Sequence, residues 1–421
     1  MGGTAPAAGD RNFTLDFVRG VAVMGILTMN IAGFALPETA YVNPRAYGGA
    51  TGADLGVYLF NFVLFDGKMR GLFSFLFGAS TLLVIERATA RGESAARVHY
   101  ARMAWLLVFG LAHFYLLWWG DILHHYALIG MVLFAFREAP VRSLVRSAII
   151  LLALQTLLTA GFCAAVGRNA SDVGRPHPTP AALAERADFE SIFGKPSAAE
   201  IAKTLAVYRG GYPGILANRW QENKYALVSE TAIVGMETLA YMLLGMAALR
   251  SGMLRGDWPA ERYRRWALIC FGIALPGYIA LAVYLVAAGF SVFAVVLAVI
   301  TLSTPVRPLM ILGWAALLAL LAQTARGAIG ARIAAAGRMA FTNYLTTTII
   351  CTTLFYGYGF GLFGVLGRAQ LYLVVFAMWA LMLLWSKPWL DRVRYGPFEW
   401  LWRSLARGER QTMALSATGS Q

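Results

Sequence analysis

The stretch LDFVRGVAVMGILTMN, residues 15–30, opens the first long apolar run of the chain, which continues to about Leu36. Two opposite charges, Asp16 and Arg19, stand at its start. They are three residues apart, so they share one helix face and can form an ion pair. Because charged groups beside a bilayer are costly, they tend to be placed for a purpose. The pair therefore marks both the beginning of the membrane and a candidate site.

Composition places the chain among polytopic membrane proteins. Hydrophobic residues make up 58% of it and charged residues 14%, well below the roughly 25% charged residues of soluble domains. Repeated apolar runs of about 17–25 residues match the length that crosses a bilayer. We predict an all-α bundle of about ten transmembrane helices, at residues 15–36, 70–86, 102–119, 122–136, 146–166, 226–249, 266–288, 308–325, 339–356 and 370–386.

The net charge of +14 follows the positive-inside rule and does not indicate a nucleic-acid partner. Arginines concentrate in alternate connections and in the tail, whereas the other short loops carry almost none. Both termini are therefore predicted to be cytoplasmic, and the lipid bilayer is the expected partner. The basic segments cover residues 87–102, 137–146, 250–265, 326–338 and 387–410.

The pattern divides the chain into four regions. Two membrane regions, residues 1–166 and 226–386, flank an extracytoplasmic helical cap at 167–225, and a cytoplasmic amphipathic interfacial tail follows at 387–421. Within the cap, Ser197-Ala-Ala-Glu200 has the form of a capping box, which predicts a helix start. In the tail, Pro397 is predicted to occupy the first turn of an amphipathic helix.

Two further apolar segments, residues 54–65 and 291–303, are too short to cross a bilayer as separate spans. We expect half-helices or interfacial helices on the outer side. Irregular backbone at membrane depth must be buried in protein or line a wet cavity. These two breaks are therefore expected to form walls of such a cavity.

Asp66, Lys68 and Arg70 lie within five residues, directly before an apolar span. Two cations and a carboxylate in this position can hold a carboxylate or phosphate of a substrate, or they can be a self-neutralised interfacial anchor. Glu237 falls near the middle of its predicted span and must pair or be protonated there. We treat the four residues as candidate substrate-binding groups, with Glu237 either in a proton relay or in a buried ion pair.

Asp121, His124 and His125 form the candidate catalytic group, in the segment GDILHHYAL. An acid–histidine pair at the rim of a span supplies a general base. Alternatively, Asp121 only caps the helix that begins after it. The two histidines point about 100° apart on a helix, which makes a poor metal site, so we predict no metal. The three cysteines lie in or near apolar spans and are expected to be core residues.

Asn343 enters the ninth predicted span beside Arg338, in the segment GRMAFTNYL. An interhelical hydrogen bond is one interpretation. The other is that Asn343 joins Asp16 and Arg19 around a donor-side pocket at the inner face. The G-x-G-x-x-G match at residues 359–364 is rejected as a dinucleotide fingerprint, because it lies between two spans with no preceding strand.

Several segments, in order along nearly the whole chain, together resemble the YeiB family of bacterial integral membrane proteins, a family whose domain is of unknown function. This resemblance implies a multi-pass protein of the bacterial inner (plasma) membrane and leaves its activity open. The segments are LDFVRGVAVMGILTMN, KMRGLFSFLFGAS, GDILHHYALIG, ETLAYMLLGMAALRSG, GRMAFTNYL and GPFEWLWR.

The first quarter of the chain also resembles heparan-α-glucosaminide N-acetyltransferase and related transmembrane acyltransferases. That resemblance implies an acyl group moving from cytoplasmic acyl-coenzyme A to a sugar on the far side, with a histidine in the loop after the first span. Residues 37–53 contain no histidine, so His124 or His125 with Asp121 would have to replace it. The function expected first is therefore transmembrane acyl transfer to an envelope acceptor.

Two other function classes stay open at the level of sequence. Buried Glu237 and the broken helices also fit a transporter or lipid-handling protein. The absence of a sharp catalytic motif fits a non-catalytic membrane scaffold. Glycine-rich spans allow close helix packing, and hence also a homodimer.

Overall fold

The computed structural model describes residues 12–415, without the side chains of residues 226 and 230. In this part of the chain the regular structure is helical, apart from an isolated β-bridge between Val393 and Ala414. The predicted all-α class is confirmed. The α-helices are α1 Phe13–Ala35, α2 Gly52–Leu64, α3 Lys68–Ala90, α4 Ala95–Ala112, α5 Leu123–Leu133, α6 Val141–Val173, α7 Pro180–Phe193, α8 Ala198–Tyr208, α9 Tyr212–Glu222, α10 Ala226–Arg250, α11 Ala260–Ala287, α12 Val292–Val295, α13 Ser303–Thr324, α14 Ala328–Arg338, α15 Ala340–Phe355, α16 Arg368–Leu390 and α17 Pro397–Arg407.

Eight helical segments of the described residues are long and apolar enough to cross a membrane, which confirms a polytopic bundle. They coincide with eight of the ten predicted spans. The other two predictions correspond to shorter apolar helices, α5 with the 3₁₀ turn Phe134–Phe136, and α15. With 16 residues, α15 spans only about 24 Å at 1.5 Å per residue, less than the bilayer core of roughly 30 Å.

The two short apolar segments behave differently from each other. The first forms α2, and the chain then breaks at Gly67, whose φ of +68° is left-handed, before α3 begins. Glycine tolerates that conformation because it has no Cβ. The second does not form a separate half-helix, because α12 runs through a π-helical turn at Val296–Leu302 directly into α13. Both irregular regions nevertheless line a cavity, as expected.

Helices α3 and α10 pack backbone to backbone through glycines. A Cβ atom at Gly78 would lie 2.0 Å from the carbonyl oxygen of Met242, and one at Gly245 would lie 1.7 Å from that of Phe75. Small residues at such crossings let membrane helices approach closely. This contact fixes α10, which carries Glu237, against α3, which carries Arg70.

Helices α7 to α9 lie within the segment 167–225 that was predicted to be a cap. We refer to them as the cap and to their side of the bundle as the cap face. The capping box is confirmed, because Ser197 and Glu200 bond reciprocally at the start of α8. Asn43 donates from Nδ2 to the carbonyl of Phe193 at 2.8 Å. Arg219 donates from Nη1 to the carbonyl of Tyr115 at 3.1 Å. The cap is thus hydrogen-bonded to the loop after α1 and to the membrane span that contains Tyr115.

The opposite side carries the arginine-rich connections and the tail, and we call it the basic face. The positive-inside rule predicts that this face is cytoplasmic. The predicted tail helix is confirmed as α17, with Pro397 in its first turn. It packs against α4 and α15, and Trp402 donates from its indole N–H to the carbonyl of Arg102 at 2.9 Å.

Candidate functional site

A cavity of about 290 Å³ enters the bundle from the basic face. Asp16 and Arg19 line it and form the predicted ion pair, with 2.9 Å between Oδ1 and Nη1. Arg19 also donates to the hydroxyl of Ser80 at 2.8 Å, which ties α1 to α3. The deeper wall of the cavity is apolar and includes Val23, Phe73, Phe77 and Leu106. The cavity therefore combines a charged mouth with a hydrophobic neck.

Three arginines at this mouth lie where the main cavity meets an adjoining groove of about 260 Å³. Arg87, Arg102 and Arg394 line both spaces. Among residues 12–415, their guanidinium groups have no acidic or hydrogen-bonding partner. The Arg102 guanidinium stacks on the ring of Trp402, 4.1 Å from its centroid. Guanidiniums that line one cavity and lack acidic partners have the chemistry that suits phosphate groups.

The tail helix contributes one wall of this cavity. Glu399 lines it and reaches the N-terminus of α15, where Oε1 accepts the backbone N–H groups of Phe341 at 2.8 Å and Thr342 at 3.0 Å. Burial raises the pKa of Glu399, although these hydrogen bonds act in the opposite direction. The carboxyl group thus satisfies amides that the first turn of a helix leaves without a partner.

Glu399→Ala is expected to loosen α17, because removing a capping group of this kind costs about 0.5–2 kcal/mol. Limited trypsin digestion of the full-length protein in detergent should then cleave faster at Arg403 and Arg407, which lie within α17. The matched control is Glu409→Ala, an exposed tail residue that accepts a hydrogen bond from Gln411 at 3.3 Å. Equal cleavage rates in the two variants would show that the Glu399 contacts do not hold the helix.

A larger cavity of about 680 Å³ lies on the cap face. The cap contributes Ile192, Phe193 and Glu222 to its lining. Its aromatic wall includes Tyr41 and Trp119. Aromatic faces next to charged groups suit a polar organic ligand that also has apolar surface.

Glu237 is the centre of a buried charge network in this cavity. Its Oε2 lies 2.8 Å from Nη2 of Arg70, and its Oε1 is paired with Nη1 of Arg307. The Tyr241 hydroxyl donates to Oε1 at 2.7 Å, and Arg307 donates to Ser303 at 2.7 Å. The side chains of Glu237, Arg307 and Arg70 are 3%, 10% and 29% exposed. The network joins α3, α10 and α13, and Arg70 is its most accessible member.

The four predicted substrate-binding residues separate into two groups. Asp66, Arg70 and Glu237 all line the cap-face cavity. Lys68 is fully buried outside it, where Nζ donates to the carbonyl of Phe62 and lies 3.4 Å from the ring centroid of Tyr278. Lys68 therefore stabilises the junction of α2 with α11 and does not face a ligand.

The predicted catalytic residues lie close together but line neither cavity. Asp121 accepts the backbone N–H of His124 at 2.9 Å and lies 2.8 Å from its Nδ1, while its other oxygen lies 2.7 Å from Nδ1 of His113. Burial alone would raise the pKa of Asp121, and the two histidines outweigh this and lower it. His125 is bonded through Nε2 to the hydroxyl of Thr238 at 2.8 Å. The three residues are buried behind the residues that line the cavities, and they hold neighbouring helices together.

Asn343 is likewise buried and structural. It donates to the carbonyl of Ala336 and the hydroxyl of Ser386, both at 3.1 Å, and accepts the indole N–H of Trp385 at 2.9 Å. It lines neither cavity, in contrast to Asp16 and Arg19. Of the three predicted donor-side residues, Asp16 and Arg19 line the basic-face cavity, and Asn343 makes interhelical hydrogen bonds instead.

The two cavities meet in the interior, where four residues line both of them: Ile26, Ile122, Tyr126 and Tyr344. None of the four was identified from sequence, because apolar and tyrosine residues inside spans carry no distinguishing signal. Arg307 was also missed, although an arginine beside an apolar run is a recognisable sign of a membrane site. Among the described residues, no cluster of potential ligands fits a metal ion, and Cys163, Cys270 and Cys351 are free and buried.

Comparison with known proteins gives relatives over nearly the whole length of the chain. A family model described as "Protein of unknown function (DUF418)" matches residues 248–409. The chain is 34% identical to the uncharacterised protein YeiB of Escherichia coli strain K12, over 94% of this chain and 96% of the relative. It is 29% identical to the uncharacterised protein YxaH of Bacillus subtilis strain 168, over 94% of each chain. No solved structure matches.

Proposed function

The chain belongs to the YeiB family of multi-pass membrane proteins, and we propose that it transfers an acyl group across the membrane. In this proposal the donor lies in the basic-face cavity and the acceptor in the cap-face cavity. The observation that carries the proposal is the junction between them, where four residues line both cavities. A group held at this junction is in reach of ligands from both faces of the bundle.

The donor class that fits the basic-face cavity is an acyl-coenzyme A. Its phosphates match the guanidiniums of Arg87, Arg102 and Arg394, which have no acidic partner in the described part of the chain. Arginine suits phosphate because its fork of N–H donors binds two oxygens at once. The flexible thiol arm and acyl group fit the apolar neck beside Phe73 and Leu106.

The acceptor class implied by the acyltransferase resemblance is a sugar, and the cap-face cavity offers it both aromatic and charged partners. The acceptor amine or hydroxyl attacks the thioester carbonyl carbon, the carbon–sulfur bond breaks, and coenzyme A leaves as a thiolate that takes up a proton from water at the basic face. Asp66 accepts the acceptor's proton. Its carboxylate lines the cavity and accepts no hydrogen bond from the described residues.

His124, His125 and Asp121 act indirectly in this proposal. They line neither cavity, but His113 of the same cluster packs against Tyr344, with 5.2 Å between ring centroids. Their role is to position the wall that carries Tyr344 at the junction. They are therefore positioning residues in the proposal, and Asp66 takes the place of the histidine base.

Arg102→Gln and Arg87→Gln, made separately, are each expected to weaken binding of acetyl-coenzyme A by roughly 10- to 100-fold, since a hydrogen bond to a charged group contributes about 1.5–3 kcal/mol. Binding of the radiolabelled compound is measured on the full-length protein in lipid nanodiscs. The control is Arg255→Gln, because Arg255 lies 3.6 Å from Glu86 and lines neither the main cavity nor the adjoining groove. Equal affinity in all variants, or no binding by the unaltered protein, would refute the donor assignment.

A transporter or lipid-handling protein is the second candidate, favoured by the buried charges of Glu237, Arg70 and Arg307 beside the interrupted helices. Proteoliposomes with glucosamine on the cap-face side separate the two functions. Acetyl-coenzyme A labelled in its acyl group should give labelled glucosamine there, while an adenine label stays on the basic side. Movement of the adenine label across the membrane would support transport instead.

A further inference from the structure

The junction between the cavities contains two tyrosines, Tyr126 and Tyr344, together with Ile26 and Ile122. The Tyr126 hydroxyl lies 2.8 Å from that of Ser74 and 3.0 Å from the carbonyl oxygen of Arg70. Its ring stacks near that of Phe73, at 6.0 Å, and packs against that of Phe77, at 5.2 Å. Two hydrogen bonds and two ring contacts fix Tyr126 on its side of the junction.

Tyr344 faces the same junction, and its ring packs against that of His113 with 5.2 Å between the centroids. Its hydroxyl lies 3.5 Å from the carbonyl oxygen of Gly120, at the outer limit for a hydrogen bond. Ile26 and Tyr344 both line a third, small space of about 10 Å³ between α1 and α15, in addition to the two main cavities. A void of that size leaves neighbouring side chains without full packing contacts on one side. Ile26 and Tyr344 therefore border unfilled space, and Tyr126 does not line it.

The width of the junction limits the size of a group that can pass between the cavities. The two cavities of about 290 and 680 Å³ share two tyrosines and two isoleucines in their linings. Protein interiors are close-packed, so a change of one methylene group is felt at such a contact. The sizes of these four side chains therefore determine how wide the junction is.

We propose that Ile26 and Tyr344 set the upper size limit of the group handed from the basic-face cavity to the cap-face cavity. This inference deepens the proposed function and rests on it for the identity of that group. Short acyl groups pass between the side chains, and longer or branched ones are held back in the neck. A smaller side chain at Ile26 or Tyr344 widens the passage between the cavities. A smaller side chain at a residue that lines only the neck of the basic-face cavity does not.

The experiment measures passage through the junction without requiring transfer. Asn30→Cys places a reporter thiol in the cap-face cavity, one helical turn beyond Ile26. Inverted membrane vesicles are treated with the impermeant reagent 2-sulfonatoethyl methanethiosulfonate, which reaches the protein from the predicted cytoplasmic side. Ile26→Ala or Tyr344→Ala, combined with the reporter, should raise its labelling rate several-fold. Leu106→Ala, which enlarges only the basic-face cavity, should leave that rate unchanged.

Labelling of the reporter from the cap face, in right-side-out vesicles, shows that each variant is folded and inserted. The inference is overturned if the reporter with an unaltered junction is labelled equally fast from both sides, or if Leu106→Ala acts as strongly as Ile26→Ala. If labelling follows the junction variants while acetyl-coenzyme A does not bind, the size limit at the junction stands and the proposed function fails. If acyl transfer is detected in reconstituted protein, Ile26→Ala should extend it to longer acyl chains.

Discussion

Glu237→Gln is expected to cost about 3–5 kcal/mol of folding free energy, because removing one partner of a buried ion pair leaves an uncompensated charge behind. Here two charges would be left, since Glu237 pairs with both Arg70 and Arg307. Glutamine keeps the size of the side chain and one carbonyl acceptor. The loss would therefore report the missing negative charge and the repulsion between the two arginines.

Thermal unfolding of the purified protein in detergent measures this effect. Glu222→Gln is the matched control, since Glu222 lines the same cavity, is 59% exposed and lies 3.6 Å from Lys203. Such exposed pairs contribute only about 0–1 kcal/mol. The double variant Glu237→Gln with Arg307→Met should recover part of the loss, because it removes one unpaired cation. Equal melting temperatures for Glu237→Gln and Glu222→Gln would contradict the network.

The membrane helices were predictable because each is encoded locally, by a long apolar run. The same local logic predicted the capping box at Ser197 and Glu200 and the tail helix from Pro397, both of which the structure confirms. The segment at residues 291–303 was misread as a separate half-helix. Its π-helical turn depends on packing against neighbouring helices, which no local pattern contains.

The partners of Glu237 show where sequence reasoning stopped. A buried carboxylate in a span requires a partner, and Arg70 was among the candidates, but Arg307 was not. The predicted span at residues 308–325 begins one residue after Arg307, and Pro305 and Pro308, residues that often mark a helix end, flank that arginine. In the structure α13 continues through both prolines. Pairing across 70 residues of sequence is a property of the folded bundle.

The arginines of the basic face were understood from sequence only as a topology signal. In the sequence, Arg394 lies more than two thirds of the chain length away from Arg87 and Arg102. The fold brings them to one mouth because α17 docks on α4 and α15. The histidine cluster shows the opposite case. The Asp121–His124 pair was predicted correctly, but its burial away from both cavities could not be predicted, because burial depends on the tertiary packing.

Gly337→Val is expected to separate α14 from α1 and to disturb the basic-face cavity at the same time. A Cβ atom at Gly337 would lie 1.9 Å from the carbonyl oxygen of Asp16 and 2.6 Å from the backbone nitrogen of Gly20. These atoms belong to the backbone of α1 and cannot rotate aside, as a side chain could. We expect a loss at or above the upper end of the about 1–3 kcal/mol typical of overpacking.

The measurement pairs thermal unfolding with binding of acetyl-coenzyme A, because Asp16 and Arg19 line the cavity next to this contact. Gly272→Val is the control, since a Cβ atom there, on α11, meets no atom within 4 Å. Gly337→Val should lower both the melting temperature and the affinity, while Gly272→Val should change neither by much. If the variant bound the donor with unaltered affinity despite a lower melting temperature, the α1–α14 contact would stabilise the bundle without shaping the cavity. The Asp16–Arg19 ion pair at the start of the first span would then keep its place in the cavity without the α1–α14 contact.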